Sequence, residues 1–328
     1  MPATSKRINW QAPMLRVLGA VAPVAAAGIC LFGWRVAVML LLANAAAFAA
    51  EWAFTHRARE PVSSAVFVTA TLYVLSLPPA LPLPMTLLGI VFAIVFGKMV
   101  FGGFGRNVFN PALTGRAFIY VCFGNYMTAM WTEPFGSGFG GLAAYARGAD
   151  AMTTATPGML LKQGASFDLW RELIGNTSGV IGGTTAALAL LGGLYLLWTR
   201  TASYRIVIPG LLGYLGTQGL LWHLGAKGAA EPLHGLLSSS FMIGVFFYAT
   251  DPVSAAQTNP GRWIYGAFIG SMSSVISVYS AWPAGTMFAI LLGNAFAPIV
   301  DYTVRELQPK PAPARAAAAK PAAAPQPK

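Results

Sequence analysis

Long apolar runs, each closed by charged residues or by glycine and proline, divide the chain into ten segments near 17–33, 36–54, 63–81, 86–101, 107–124, 179–198, 206–222, 237–250, 263–279 and 284–300. Runs of this length predict membrane-spanning α-helices, for which a straight crossing needs roughly 20 residues. Several are shorter, and Pro78, Pro79, Pro111, Pro252 and Pro298 fall inside or at the ends of runs. Proline removes an N–H donor and clashes with the preceding turn, so broken helices are expected there. The one long polar stretch, 125–178, separates the first five runs from the last five.

The two halves echo one another. Asn107-Val-Phe-Asn-Pro111 in the fifth run is matched by Asn294-Ala-Phe-Ala-Pro298 in the tenth, and FVTATLYVLSLPP closing the third parallels FMIGVFFYATDPV closing the eighth. An odd number of spans per half makes the repeat inverted and brings discontinuous helix ends near the bilayer midplane. The expected fold is an all-α polytopic membrane protein of about ten transmembrane helices in two inverted five-helix repeats with broken helices. Its parts are an N-terminal segment (1–16), a first repeat (17–124), an outer-face loop (125–178), a second repeat (179–305) and a disordered Ala/Pro/Lys tail (306–328).

Composition agrees: of 328 residues 56% are hydrophobic and only 9% charged, with a mean hydropathy of +0.60, far too apolar for a soluble domain. The net charge of +11 is scattered between apolar runs instead of gathered in a patch, which argues for topology over nucleic-acid binding. With both termini cytoplasmic, all of the 21 Lys and Arg residues except Arg35, Arg147, Lys162, Arg171 and Lys227 fall on the inner side, 98–116 being counted as an inner segment. That satisfies the positive-inside rule and puts the 125–178 loop outside, as in a multi-pass protein of the bacterial inner membrane. Lys6, Arg7 and Arg16 precede the first run without a clear cleavage site, so that run reads as a retained helix.

Chemistry-bearing residues are few. Cys30 and Cys122 lie in separate apolar runs, and His56, His223 and His234 are far apart, so neither a metal centre nor an iron–sulfur cluster is expected within the chain. Glu51, Asp251 and Asp301 stand at or within spans, where a carboxylate faces a cavity or a partner. Asp251 and Asp301 are candidates for an ion path. Against that use, Glu51 could pair with Arg57 or Arg59, Asp251 could cap a helix beginning at Pro252, and Asp301 could snorkel from a helix end. Glycines cluster at Gly102-Gly103-Phe104-Gly105 and between Gly179 and Gly183, allowing close backbone approach.

Three stretches, VFGGFGRNVFNPALTGRAF (100–118), ATDPVSAAQTNPGRWIYGAFIG (249–270) and AILLGNAFAPIVDY (289–302), resemble the signatures of a known family. It contains NqrB, of the sodium-translocating NADH:quinone oxidoreductase, and RnfD, of the Rnf ferredoxin:NAD oxidoreductase. The likeness runs in order from about residue 60 to 305. It implies an electron-relaying membrane subunit carrying FMN attached by a phosphoester to threonine on the outer face. The attachment motif Asp-x-x-Ser/Thr-Gly-Ala-Thr falls on Asp150, Thr153, Thr154, Ala155 and Thr156, with Thr154 in place of glycine. Thr156 is then the flavin carrier, with Thr153 and Thr154 as lesser candidates.

The resemblance further implies a riboflavin near the membrane, a quinone taken up near the cytoplasmic side, with Gly102, Gly103 and Trp10 as candidates, and partners comprising the other complex subunits and a flavin transferase. No nicotinamide-binding fingerprint is present, so the chain depends on those partners for activity. Sodium-pumping relatives carry glutamates where this chain has Met99 and Gly183, which leaves Asp301 and Asp251 as the remaining ion candidates. Two rival readings stay open: a non-redox channel or secondary transporter built on the inverted repeat, and a scaffold that has lost ion coupling.

Overall fold

The computed structural model describes residues 7–135, 140–146, 152–153, 156–163, 168–238, 240–280 and 285–308. In chain order the elements of the first half are β1 (Ile8–Asn9), α1 (Ala12–Phe32), α2 (Arg35–Ala58), β2 (Val62–Ser63), α3 (Ala65–Leu75), α4 (Leu83–Ile94) and α5 (Pro111–Cys122). The connecting region holds α6 (Gly124–Ala129), β3 (Trp131–Thr132), β4 (Met152–Thr153), α7 (Pro157–Lys162) and α8 (Leu169–Ile174). The second half comprises α9 (Ala186–Trp198), α10 (Tyr204–His223), α11 (Pro232–Ser238), α12 (Phe241–Ile243), α13 (Asn259–Tyr279) and α14 (Gly285–Leu307). Two π-helical turns, Val95–Met99 and Gly244–Tyr248, prolong α4 and α12.

Each of the ten apolar runs contains a helix, and α1, α2 and α14 are long and apolar enough to cross a membrane on length and composition. Large side chains such as Leu41, Trp198 and Leu212 are exposed on helices, an outer surface suited to lipid. Inside, α10 packs along α13 and α13 along α14, while α4 packs on α5 and α2 on α3 and α4. Glycine makes these approaches possible. A Cβ on Gly115 of α5 would sit 2.5 Å from the Gly89 carbonyl of α4, and one on Gly270 of α13 would strike the Gly210 carbonyl of α10.

The helix breaks fall at two places rather than at every proline. Helix α3 stops at Leu75, ahead of Pro78 and Pro79, and the turn after α12 stops at Tyr248, ahead of Pro252. Pro298 was expected to break the last helix. Instead α14 runs through it to Leu307, as α1 and α10 run through Pro23 and Pro209, since one missing N–H is tolerated where neighbouring helices hold the turn. The end of α3 is held from outside: Gly182 N–H donates to the Leu75 carbonyl at 2.7 Å and Ile181 N–H to that of Leu77 at 3.1 Å. The Tyr248 hydroxyl then donates to the Leu72 carbonyl at 2.7 Å, tying the two broken segments together.

Candidate functional site

A cavity of about 440 Å³ opens between the two halves, lined by Leu72 of α3, Lys98, Asn107, Asn110, Phe247 and Asp251 among others. Its polar groups are positioned by helix ends. Asn110 caps α5, its Oδ1 accepting from Ala112 N at 3.1 Å and Leu113 N at 3.3 Å, and Pro111 starts the helix where a missing N–H does no harm. Asn110 also donates through N to Asn294 Oδ1 at 3.1 Å and through Nδ2 to the Tyr248 carbonyl at 3.3 Å. The two NxFxP motifs therefore meet through Asn110 and Asn294, not through their equivalent first asparagines, because one motif precedes a helix and the other lies inside α14.

Lys98 is fully buried in the first π-turn and ion-paired with Glu51 of α2 at 2.6 Å. The second Glu51 oxygen accepts from Ser63 N at 3.0 Å. Glu51 is thus no partner of Arg57 or Arg59, and Lys98 is no loop charge. Asp251 caps a turn and no helix: its carboxylate accepts from Val253 N at 3.3 Å and from Ser254 Oγ at 2.7 Å. Asp301 is not a snorkelling terminus, for α14 continues past it. Both its oxygens cap the start of α13, accepting from Gln257 N at 2.6 Å, Thr258 N at 2.9 Å and Thr258 Oγ1 at 2.6 Å.

The N-terminal segment and the glycine loop converge on this cavity through Gln11, Pro13 and Phe104. Trp10 itself is exposed and stacked on Phe67 at 5.8 Å. Gly102 and Gly103 adopt φ of 100° and 91°, and this turn lets Phe104 lie under the Lys98 ammonium, 5.7 Å from the ring centre.

A second, small cavity of about 30 Å³ is bounded by Arg116, Trp131, Thr156, Ser178, Val180 and Ser240 among others. Thr156 is 7% exposed and caps α7, its Oγ1 accepting from Met159 N at 3.4 Å. The antiparallel pairing of Trp131 with Thr153 lays the motif strand beside this site. Arg116, counted above with an inner segment, is a buried residue of α5, and its Nε and the Trp131 Nε1 have no hydrogen-bond partner among the described residues. Among the described residues Arg116 has no carboxylate partner. Asp150, Thr154 and Ala155 lie outside the described residues.

Nearby, α8 is fastened to α11 by Glu172, buried, whose Oε2 lies 3.0 Å from His234 Nδ1. Burial pushes the Glu172 carboxyl above its usual range, and the His234 ring opposes that rise. A Cβ on Gly183 would strike the side chains of Ser240 and Val180, so a larger residue here requires those neighbours to shift.

The match to the NQR2, RnfD, RnfE family model extends over residues 1–310. The chain belongs to that family. It is 40% identical over 264 residues to the NqrB protein of the Na(+)-translocating NADH-quinone reductase of Ectopseudomonas mendocina (strain ymp), covering 77% of this chain and 63% of that relative. It is 37% identical over 309 residues to the protein of the same name from Pseudoalteromonas atlantica, covering 90% and 74%. A third, from Neisseria meningitidis serogroup B, is 39% identical over 265 residues and is covered to 63%. The chain thus spans a little under two thirds of the length of several of these relatives.

In this NQR2, RnfD, RnfE family chain, three residues escaped the sequence reading: Lys98, Arg116 and Trp131. The first two carried a signal, a basic side chain at the edge of or inside an apolar run, where charge is expensive. Trp131 carried none.

Proposed function

We propose that this protein is the flavin-carrying membrane subunit of an Nqr- or Rnf-like oxidoreductase complex, relaying electrons through FMN esterified to Thr156. The observation that carries the reading is Thr156 itself: buried, at the motif position, and facing a cavity with a buried cation and unpaired donors. Its hydroxyl uses a lone pair in capping α7, so the proton is free to be replaced by a phosphoester without loss of the cap. Bound flavin supplies one- and two-electron redox chemistry, while the protein supplies position and electrostatics.

The large cavity suits an uncharged flavin such as riboflavin. Its walls are mostly apolar, Asn107 and Asn110 would offer hydrogen bonds to the edge of a flat ring system, and its Lys98–Glu51 charges are already paired. Asp251, which borders this cavity, is the better ion-path candidate, since Asp301 is saturated by the start of α13. Gly102, Gly103 and Trp10 frame the quinone approach, and Gln11 and Phe104 reach the cavity from the same segments. The reading includes ten spans in two inverted repeats, supported by parallel packing schemes in the halves, in the bacterial inner membrane with both termini cytoplasmic and the Thr156 loop outside. NADH:quinone or ferredoxin:NAD activity belongs to the assembled complex.

The test is in-gel flavin fluorescence under denaturing conditions, comparing the wild type with Thr156→Val, each co-expressed with a flavin transferase. Fluorescence surviving denaturation in the wild type and absent from the variant is expected. A colourless, unmodified wild type with an active transferase would sink the proposal and favour the transporter reading.

A further inference from the structure

A guanidinium buried inside a membrane helix bundle without a counter-charge is costly, and such groups pair or serve a ligand. Arg116 is 6% exposed, has no carboxylate partner among the described residues and leaves its Nε unpaired. It borders two small cavities, one shared with Thr156, Trp131 and Ser178 and one with Ser76, Tyr248 and Thr286. The first is also lined by Trp131, whose buried Nε1 has no hydrogen-bond partner among the described residues. Among the described residues no Asp or Glu lines either cavity. A site with a cation, an indole N–H and hydroxyls, and no anion of its own, is complementary to a phosphate.

We propose that Arg116 and Trp131 form the anion site that receives the phosphodiester of the group carried on Thr156, making Arg116 a positioning residue for the flavin. The inference rests on the Thr156 reading. Arginine suits the role because its planar fork stays charged and can give two parallel N–H bonds to two phosphate oxygens. The ester itself compensates the buried cation, so attachment stabilises the folded protein.

The experiment measures intact mass and thermal unfolding of wild type, Arg116→Gln and Arg116→Lys, each made with and without flavin transferase, with Thr156→Val as the unmodified control. In the wild type, modification is expected to raise the unfolding temperature by at least about 2–4 °C. In Arg116→Gln that rise disappears, and the unmodified variant is no less stable than unmodified wild type. Arg116→Lys, which keeps the charge but not the fork, retains part of the rise. Its phosphodiester ³¹P resonance, read in phosphate-free detergent, is displaced from the wild-type position.

Full modification of Arg116→Gln with an undiminished rise overturns the proposal while leaving the Thr156 reading intact. If Arg116→Gln aggregates, Arg116→Lys decides: an unchanged ³¹P resonance and an unchanged rise overturn the anion site. An unmodified wild type fails one step earlier, at Thr156, and the anion site falls with it.

Discussion

The two cavities treat charge in opposite ways. Beside the large one, the charged groups held within the bundle have internal answers: Lys98 has Glu51, and the half-buried Asp251 has Ser254 Oγ and Val253 N–H. Beside the small one, Arg116 has none among the described residues. A cavity whose charges are already compensated gains from a neutral, flat ligand that brings apolar area. One holding an uncompensated cation gains from an anion, such as the phosphodiester proposed on Thr156. The contrast teaches that size alone is a poor guide to function, since the smaller cavity makes the more specific chemical demand.

Replacing Lys98 by Met breaks the contrast most severely, because it strands the Glu51 carboxylate in the protein interior. It is expected to destabilise by about 3–5 kcal/mol, and the Glu51→Leu/Lys98→Met double variant to recover most of that, as measured by unfolding of the solubilised protein. Asp301→Ala orphans two N–H groups and a hydroxyl at the head of α13. The same measurement should report a loss of about 1.5–3 kcal/mol. Arg116→Met in flavin-free protein carries the opposite sign: losing an unpaired cation is expected to stabilise by about 1–3 kcal/mol. A loss of stability there comparable to that of Lys98→Met would mean that Arg116 has an internal partner and that the contrast is wrong.

The smallest effect concerns Glu172, beside the Thr156 region. Its folded carboxyl titrates above the unfolded value of about 4.5, so the folded state binds this proton more readily. Its contribution therefore favours folding below that unfolded value and is lost as pH rises through the raised one. Limited proteolysis of the α8 segment is expected to slow on moving from neutral to mildly acidic pH in the wild type, and to lose part of that dependence in Glu172→Gln. Equal pH dependence in both would assign the effect elsewhere.

The helical segments of the two halves were legible in the sequence because they follow from local apolar runs, whereas the starts at Pro111 and Pro157 went unread although local chemistry sets them. Ten apolar runs became ten helix-bearing segments, and Asn110-Pro111 and Thr156-Pro157 announce helix starts through a capping side chain and a proline that needs no donor. The proline rule alone over-predicted breaks, because whether α14 survives Pro298 depends on what packs around it. Likewise the order Asn-x-Phe-x-Pro was visible twice, yet which asparagines meet was not.

What the sequence determined by itself is therefore the membrane class and the helical segments, both set by residues close together in the chain. The tertiary structure alone decided the charges. Glu51 meets Lys98 across 47 positions, Asp301 reaches Thr258 across 43, and Arg116 meets no carboxylate among the described residues. A buried charge takes its meaning from whatever the packed helices bring within about 4 Å of it, and at such separations only the fold sets that distance.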